Sequence, residues 1–141
     1  MHIYLSSTWK GGGSVDLLKI LLDAGHTCAC SEDAVNLDSD ENVTFIQNAV
    51  HTCDMAILVF DTPNHSYIGS HEILAAFAFG RNKPVHIIWD MPEGERYLAT
   101  RYTHGHPCVT SHDSYSDFVA YFEKKHPKNA DTLAKLHMHY E

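Results

Sequence analysis

Positive charge is scarce in this chain, which has 10 Lys and Arg residues against 18 Asp and Glu residues and a formal net charge of −8. A protein that binds the phosphate backbone of DNA or RNA needs a cluster of basic side chains. The sequence contains no such cluster, so we do not expect a nucleic-acid polymer as a partner. A small phosphorylated ligand is compatible with this charge, because a few backbone N–H groups can hold it.

Long hydrophobic runs are absent as well. No apolar stretch approaches the ~20 residues that a membrane-spanning helix needs. The N-terminus also lacks the basic segment and apolar run that mark a secretion signal. We therefore expect a cytoplasmic protein with no membrane contact. Its 141 residues are enough for one domain with a core and too few for two.

Cysteine is infrequent, and its spacing does not match a zinc site. The four cysteines lie at positions 28, 30, 53 and 108, and we interpret them as free thiols in a reducing compartment. Histidine is abundant, with 12 residues, but the H-E-x-x-H pattern of zinc enzymes is missing. We predict neither a metal ion nor another cofactor.

Strands and helices alternate along the sequence. Short apolar runs predict strands at 2–6, 26–30, 55–60, 85–89 and, more weakly, 108–110. Apolar residues at helical spacing predict helices at 15–24, 42–52, 70–80 and 113–125. Gly25 should end the first helix, and Asn42 should cap the second.

This alternation predicts a single α/β domain, Rossmann-like or flavodoxin-like, over residues 1–125. A mostly parallel sheet should be covered by helices on both faces. We expect residues 126–141 to form a C-terminal tail or helix.

A glycine-rich loop, SSTWKGGGS at 6–14, follows the first predicted strand. Glycine lets the backbone approach a ligand closely, and the N-terminus of the following helix attracts an anion. Lys10 adds one compact positive charge. The loop is neither a G-x-G-x-x-G nor a Walker A sequence, and a flexible turn explains it equally well.

A second polar loop begins at Asp61, directly after the third predicted strand, and contains Ser66 and Gly69. Glu72 follows in the first turn of the next predicted helix, where a carboxylate is a candidate nucleophile or general base. A routine charge at a helix start is the alternative. Parallel strands end at the same edge of a sheet, so both loops should line one crevice there.

These segments resemble the nucleoside 2-deoxyribosyltransferase family, and in layout the 2′-deoxynucleoside 5′-monophosphate N-glycosidases within it. The resemblance extends over residues 2–122. It is carried by IYLSSTWKGGG, by CDMAILVFD, by S-x-x-G-x-x-E at Ser66, Gly69 and Glu72, and by AAFAFGRNKPV.

The resemblance implies cleavage of the N-glycosidic bond of a (deoxy)nucleoside 5′-monophosphate. Glu72 matches the glutamate that attacks C1′ and forms a covalent intermediate, which water or another base resolves. Ser66 and Gly69 match positions that contact the phosphate or sugar, and Asp61 is a further candidate for substrate binding. A phosphate cradle is implied for Ser7, Trp9, Lys10, Gly11 and Gly12.

A tight cradle favours a nucleotide hydrolase over a nucleoside transferase, and the resemblance also implies a homodimer. The sequence departs from the family pattern at Ile46, among other places, because the second helix usually carries an aspartate there that holds the sugar. Two alternatives stay open: a TIR-like enzyme that cleaves NAD, and a non-catalytic nucleotide-binding or sensor domain. The KGGG sequence argues against the first, and Ile46 supports the second.

Overall fold

The computed structural model describes residues 1–7, 12–31, 39–61, 82–92 and 107–127. Within them lie five strands, β1 (His2–Ser6), β2 (Thr27–Cys30), β3 (Met55–Phe60), β4 (Val85–Trp89) and β5 (Val109–His112). They also contain three helices, α1 (Gly12–Asp23), α2 (Ser39–Thr52) and α3 (Tyr115–Lys125). The helix predicted at 70–80 and most of the segment 126–141 lie outside the described residues.

The strands form one parallel sheet in the order β2-β1-β3-β4-β5. This is the flavodoxin-like order, in which the direction of winding reverses between β1 and β3. In open α/β sheets, ligands bind outside the carboxyl ends of the strands at such a switch point. We call the edge at which the parallel strands end the carboxyl edge of the sheet.

Each face of the sheet has its own apolar core. On one face α1 and α3 pack on the strands, through Ile3, Leu5, Leu17, Leu21, Ile57, Val59, Phe118 and Phe122. On the other face α2 packs through Tyr4, Ile46, Ala49, Val50, Leu58 and Phe60. All six residues of β3 are buried, which explains its unbroken apolar sequence. The predicted α/β fold with helices on both faces is confirmed.

Gly25 ends α1 in a Schellman motif, as its position predicts. Its φ angle is +93°, a conformation that only glycine adopts easily. The N–H of Gly25 donates to the carbonyl of Leu22 at 3.0 Å, and the N–H of His26 donates to that of Leu21 at 3.1 Å.

The predicted starts of three helices were wrong by a few residues. α2 begins at Ser39 rather than Asn42, since Asp40 and Glu41 occupy its first turn, where the helix dipole favours carboxylates. α3 begins at Tyr115, because Ser114 accepts a hydrogen bond from the N–H of Asp117 and caps the helix. α1 begins at Gly12, so two of the three consecutive glycines belong to a helix.

The four cysteines are free thiols, as expected. Cys30 and Cys53 are buried, whereas Cys28 and Cys108 are partly buried. Burial raises the pKa of the Cys28, Cys53 and Cys108 thiols, which keeps them protonated and weakly reactive. None of the described helices has the length and apolar character needed to cross a membrane.

Candidate functional site

Ser7 lies at the carboxyl edge directly after β1, and its backbone is tied to Ser31, which follows β2. The Ser31 hydroxyl accepts a hydrogen bond from the N–H of Ser7 at 3.2 Å and donates one to its carbonyl, also at 3.2 Å. Ser7 is only 6 % exposed. The start of the first loop is therefore fixed in place.

Gly12 is the first residue of α1, so the helix N-terminus lies close to the end of the same loop. The first four N–H groups of a helix have no intrahelical acceptor, and they attract negative charge. No acidic side chain occupies the first turn of α1 to compete for that position. Among the described residues, no atom lies within 4 Å of a methyl group added to Gly12, so they leave the space in front of its Cα open.

Gly13 and Ser14 contact Tyr115, the first residue of α3. A Cβ atom added to Gly13 would lie 2.5 Å from Cε2 of Tyr115, so the ring rests directly on the glycine. The Ser14 and Tyr115 hydroxyl oxygens are 2.9 Å apart and share a hydrogen bond. Gly13 is thus required by a tertiary contact, whereas the sequence suggested only loop flexibility or ligand access.

Two aspartates end neighbouring strands beside this contact. Asp61 follows β3 and Asp90 follows β4, and the N–H of Asp90 donates to the carbonyl of Phe60 at 3.0 Å. Oδ1 of Asp61 is buried, whereas Asp90 is exposed. Burial, together with these two negative charges, raises the pKa of Tyr115 to about 12. Tyr115 therefore keeps its proton throughout the neutral range.

Ile46 lies in the core between α2 and the sheet, at 9 % exposure, packed in the same cluster as Tyr4 and Leu58. Its side chain carries no polar atom and so makes no hydrogen bond to a sugar hydroxyl. The described residues instead place three carboxylates at the carboxyl edge, those of Asp61, Asp90 and Asp113, which directly follow β3, β4 and β5.

Three of the predicted site residues are described, and they lie at the carboxyl edge as the topology requires: Ser7, Gly12 and Asp61. The other six lie outside the described residues: Trp9, Lys10, Gly11, Ser66, Gly69 and Glu72. The described residues contain no group of three or more His, Cys, Asp or Glu side chains that could hold a metal ion.

Of the polar groups near this edge, Ser14 was predicted only as the end of the glycine-rich loop, and Asp90 and Tyr115 were not predicted. Asp90 had a signal, because it directly follows an apolar strand in the same way as Asp61 does. No feature of the sequence indicates Tyr115, because its partner Ser14 is 101 positions away in the chain and only the packing of α3 beside α1 brings the two together.

The strand order and the two cores define a flavodoxin-like α/β fold whose topological switch point lies between β1 and β3, with polar groups at its carboxyl edge. The CMP N-glycosidase BcmB from Clostridium botulinum has this fold, with 19 % identity and a TM-score of 0.63 over 89 % of this chain and 99 % of BcmB. A 2-deoxyribosyltransferase from Bacillus psychrosaccharolyticus also has it, with 19 % identity and a TM-score of 0.57 over 84 % of this chain and 90 % of the transferase.

No protein-family model and no curated protein match the sequence. At 19 % identity the two solved structures show the fold. They confirm the likeness to nucleoside 2-deoxyribosyltransferase-like structures that the sequence motifs predict.

Proposed function

We propose that this protein hydrolyses the N-glycosidic bond of a nucleoside 5′-monophosphate, with Glu72 as the nucleophile. The main support is the convergence of Ser7, the start of α1 and Asp61 at the carboxyl edge of the sheet. Ligands bind at this edge in flavodoxin-like folds. The fold is shared with a CMP N-glycosidase and a 2-deoxyribosyltransferase, and both of these act on an N-glycosidic bond to a sugar.

The phosphate is assigned to the loop between Ser7 and α1. Its first residue is held by Ser31, and its last leads into a helix N-terminus with no acidic side chain in the first turn. Such an N-terminus offers N–H groups and a positive dipole end to an anion. In this proposal Trp9, Lys10 and Gly11 complete the cradle between these two fixed ends.

The sugar is assigned to the side of Asp61. A carboxylate is a hydrogen-bond acceptor only, and it pairs with the hydroxyl donors of ribose. Asp61 follows β3, which is the strand next to β1, so one sugar phosphate can reach both groups. Ser66 and Gly69, in the loop that follows Asp61, are proposed to complete the contacts with the sugar or phosphate.

In the proposed reaction a Glu72 carboxylate oxygen forms a bond to C1′ while the bond from C1′ to the base breaks. The base takes up a proton as it leaves, and a glycosyl-enzyme ester remains. Water then attacks C1′ and releases Glu72 together with the sugar 5-phosphate. Two displacements at C1′ give net retention of configuration, as in retaining glycosidases.

Release of the free base tests this proposal. Ribo- and deoxyribonucleoside monophosphates and NAD are incubated with the wild type and with Glu72→Gln, and the products are separated by chromatography. We expect release from a monophosphate that Glu72→Gln abolishes. Release from NAD alone would contradict the proposal in favour of a TIR-like enzyme.

A non-catalytic nucleotide-binding domain is the second candidate, and the burial of Ile46 in the core favours it. Binding of a monophosphate with no release of its base, unchanged by Glu72→Gln, would select this candidate. The homodimer and the cytoplasmic location implied by the sequence stay predictions. Size-exclusion chromatography with light scattering tests the first of them.

A further inference from the structure

Tyr115 connects two helix N-termini at the carboxyl edge. It is the first residue of α3, and its ring lies against Gly13 in the first turn of α1. The contact leaves no room for a side chain at position 13, because an added Cβ would approach Cε2 at 2.5 Å and Cζ at 2.8 Å. The ring therefore limits how far the first turn of α1 can move towards α3.

The hydroxyl of Tyr115 fixes the same turn from a second point. It shares a hydrogen bond of 2.9 Å with the hydroxyl of Ser14, which is only 1 % exposed, so bulk water hardly competes for this contact. The pKa of Tyr115 is raised to about 12, so its hydroxyl stays protonated, and either of the two hydroxyls can donate in this bond.

Tyr115 is itself held firmly. Ser114 caps α3 just before it by accepting a hydrogen bond of 3.1 Å from Asp117. One turn further along, Phe118 is completely buried in the core that α1 and α3 share. The tyrosine is therefore part of a fixed framework rather than a mobile surface side chain.

We propose that Tyr115 is a positioning residue that holds the N-terminus of α1 in the orientation required by the substrate's 5′-phosphate. This inference rests on the proposed function, which assigns the loop before α1 to that phosphate. Helix N–H groups bind an anion well only when they converge on it, and a small displacement weakens all of them together. Tyr115 thereby contributes to the preference for a monophosphate over a nucleoside.

The test measures sugar-phosphate binding directly, without base release. Ribose 5-phosphate and ribose are titrated by calorimetry into the wild type, Tyr115→Phe, Ser14→Ala and the double variant. Tyr115→Phe keeps the ring on Gly13 and removes only the hydroxyl. Tyr121→Phe is the matched control, because this tyrosine is on the same helix and its hydroxyl contacts Lys125 instead.

We expect Tyr115→Phe and Ser14→Ala each to weaken ribose 5-phosphate binding about three- to tenfold, the usual effect of losing one hydrogen bond. The double variant should bind no more weakly than the weaker single variant, because both changes remove the same bond. The affinity of these variants for ribose should be unchanged. Tyr121→Phe should bind ribose 5-phosphate as tightly as the wild type does. In base release, Tyr115→Phe should raise KM for a monophosphate and leave kcat unchanged.

The role of Tyr115 would be overturned if Tyr115→Phe bound ribose and ribose 5-phosphate equally more weakly, or if it bound ribose 5-phosphate as the wild type does. Base release could still establish the hydrolase in either case. Weakened phosphate binding in a protein that releases no base would support the role of Tyr115 and contradict the hydrolase. A wild type that does not bind ribose 5-phosphate at millimolar concentration would overturn the phosphate site and the role of Tyr115 together.

Discussion

Gly12 and Gly13 are neighbours in the sequence, but their surroundings differ. No described residue covers the Cα of Gly12, whereas Gly13 is covered by the ring of Tyr115. We therefore expect Gly13→Ala to lower the free energy of unfolding by about 1–3 kcal/mol, because the ring must move. Gly12→Ala should leave stability unchanged or raise it by up to ~1 kcal/mol, since alanine favours a helix.

Urea denaturation of the two alanine variants measures how each substitution changes the free energy of unfolding. Both variants add one methyl group to the first turn of α1, so intrinsic helix preference is matched between them. Equal stability of the two variants would mean that the Tyr115 ring does not rest on Gly13 in solution.

His86 and His112 form a buried pair between the sheet and α3. Nδ1 of His86 and Nε2 of His112 are 2.9 Å apart, and the two residues are 3 % and 7 % exposed. Burial, and then the neighbouring His112, lowers the pKa of His86 from 6.5 to about 4. Burial also lowers the pKa of His112, against an opposing effect of Asp117 and Asp113.

The unfolded chain therefore binds protons at these positions at a higher pH than the folded protein does. Stability should fall as the pH is lowered through 6.5 towards 4, with roughly 3 kcal/mol lost through His86 alone. Urea denaturation at several pH values between 7 and 4 measures the slope of the free energy of unfolding against pH.

The double variant His86→Leu/His112→Leu removes both rings at once, so no polar group is left without its partner. Between pH 7 and 4 we expect this double variant to lose less stability than the wild type does, by the contribution of the pair. His51→Gln is the control, because it removes an imidazole that is exposed near the end of α2 and does not belong to the buried pair. If the double variant kept the wild-type dependence of stability on pH, the His86/His112 pair would not be its source.

At the scale of the elements, Lys83 holds the end of α2. Its ammonium group donates hydrogen bonds to the carbonyls of Val50 at 3.0 Å and His51 at 2.6 Å, and to that of Cys53. These carbonyls lie at the negative end of the helix dipole, where a positive charge is favourable. Lys83 thus ties α2 to the segment that enters β4.

We expect Lys83→Met to lower the free energy of unfolding by about 1–2 kcal/mol, because three carbonyls lose a charged donor. Lys124→Met is the matched control, since this lysine is exposed near the end of α3. Thermal or urea denaturation of both variants measures the two changes in the free energy of unfolding. A loss of the same size in the control would show that removing any surface lysine has this effect.

The sequence predicted strands better than helix starts, for a physical reason. β3 and β4 begin and end where predicted, because strands buried on both faces are almost entirely apolar, with His86 the single polar residue in the two. The start of a helix depends on caps and first-turn charges, which add polar residues beyond the apolar pattern. α2 shows this, since its first turn contains Asp40 and Glu41.

At the scale of the whole molecule, topology predicted the edge of the sheet at which the candidate site lies. Ser7 and Asp61 follow adjacent parallel strands, and such strands must end at one edge. The contacts across that edge were beyond prediction, because Tyr115 meets Ser14 only after α1 and α3 have packed on the same face. The residues next to Tyr115 or Ser14 in the sequence therefore do not indicate that these two side chains are partners.

A ligand that contacts the ends of β1, α1 and β3 together has a site only in the folded protein. Such a ligand should stabilise the fold by about 2.7 kcal/mol when its concentration is a hundredfold above Kd. We expect ribose 5-phosphate to raise the urea midpoint of the wild type and of Glu72→Gln equally, since Glu72 is assigned to C1′ chemistry rather than to the phosphate. At the same concentration Tyr115→Phe should show a smaller increase. An increase that ribose alone reproduces would contradict a phosphate site at this edge.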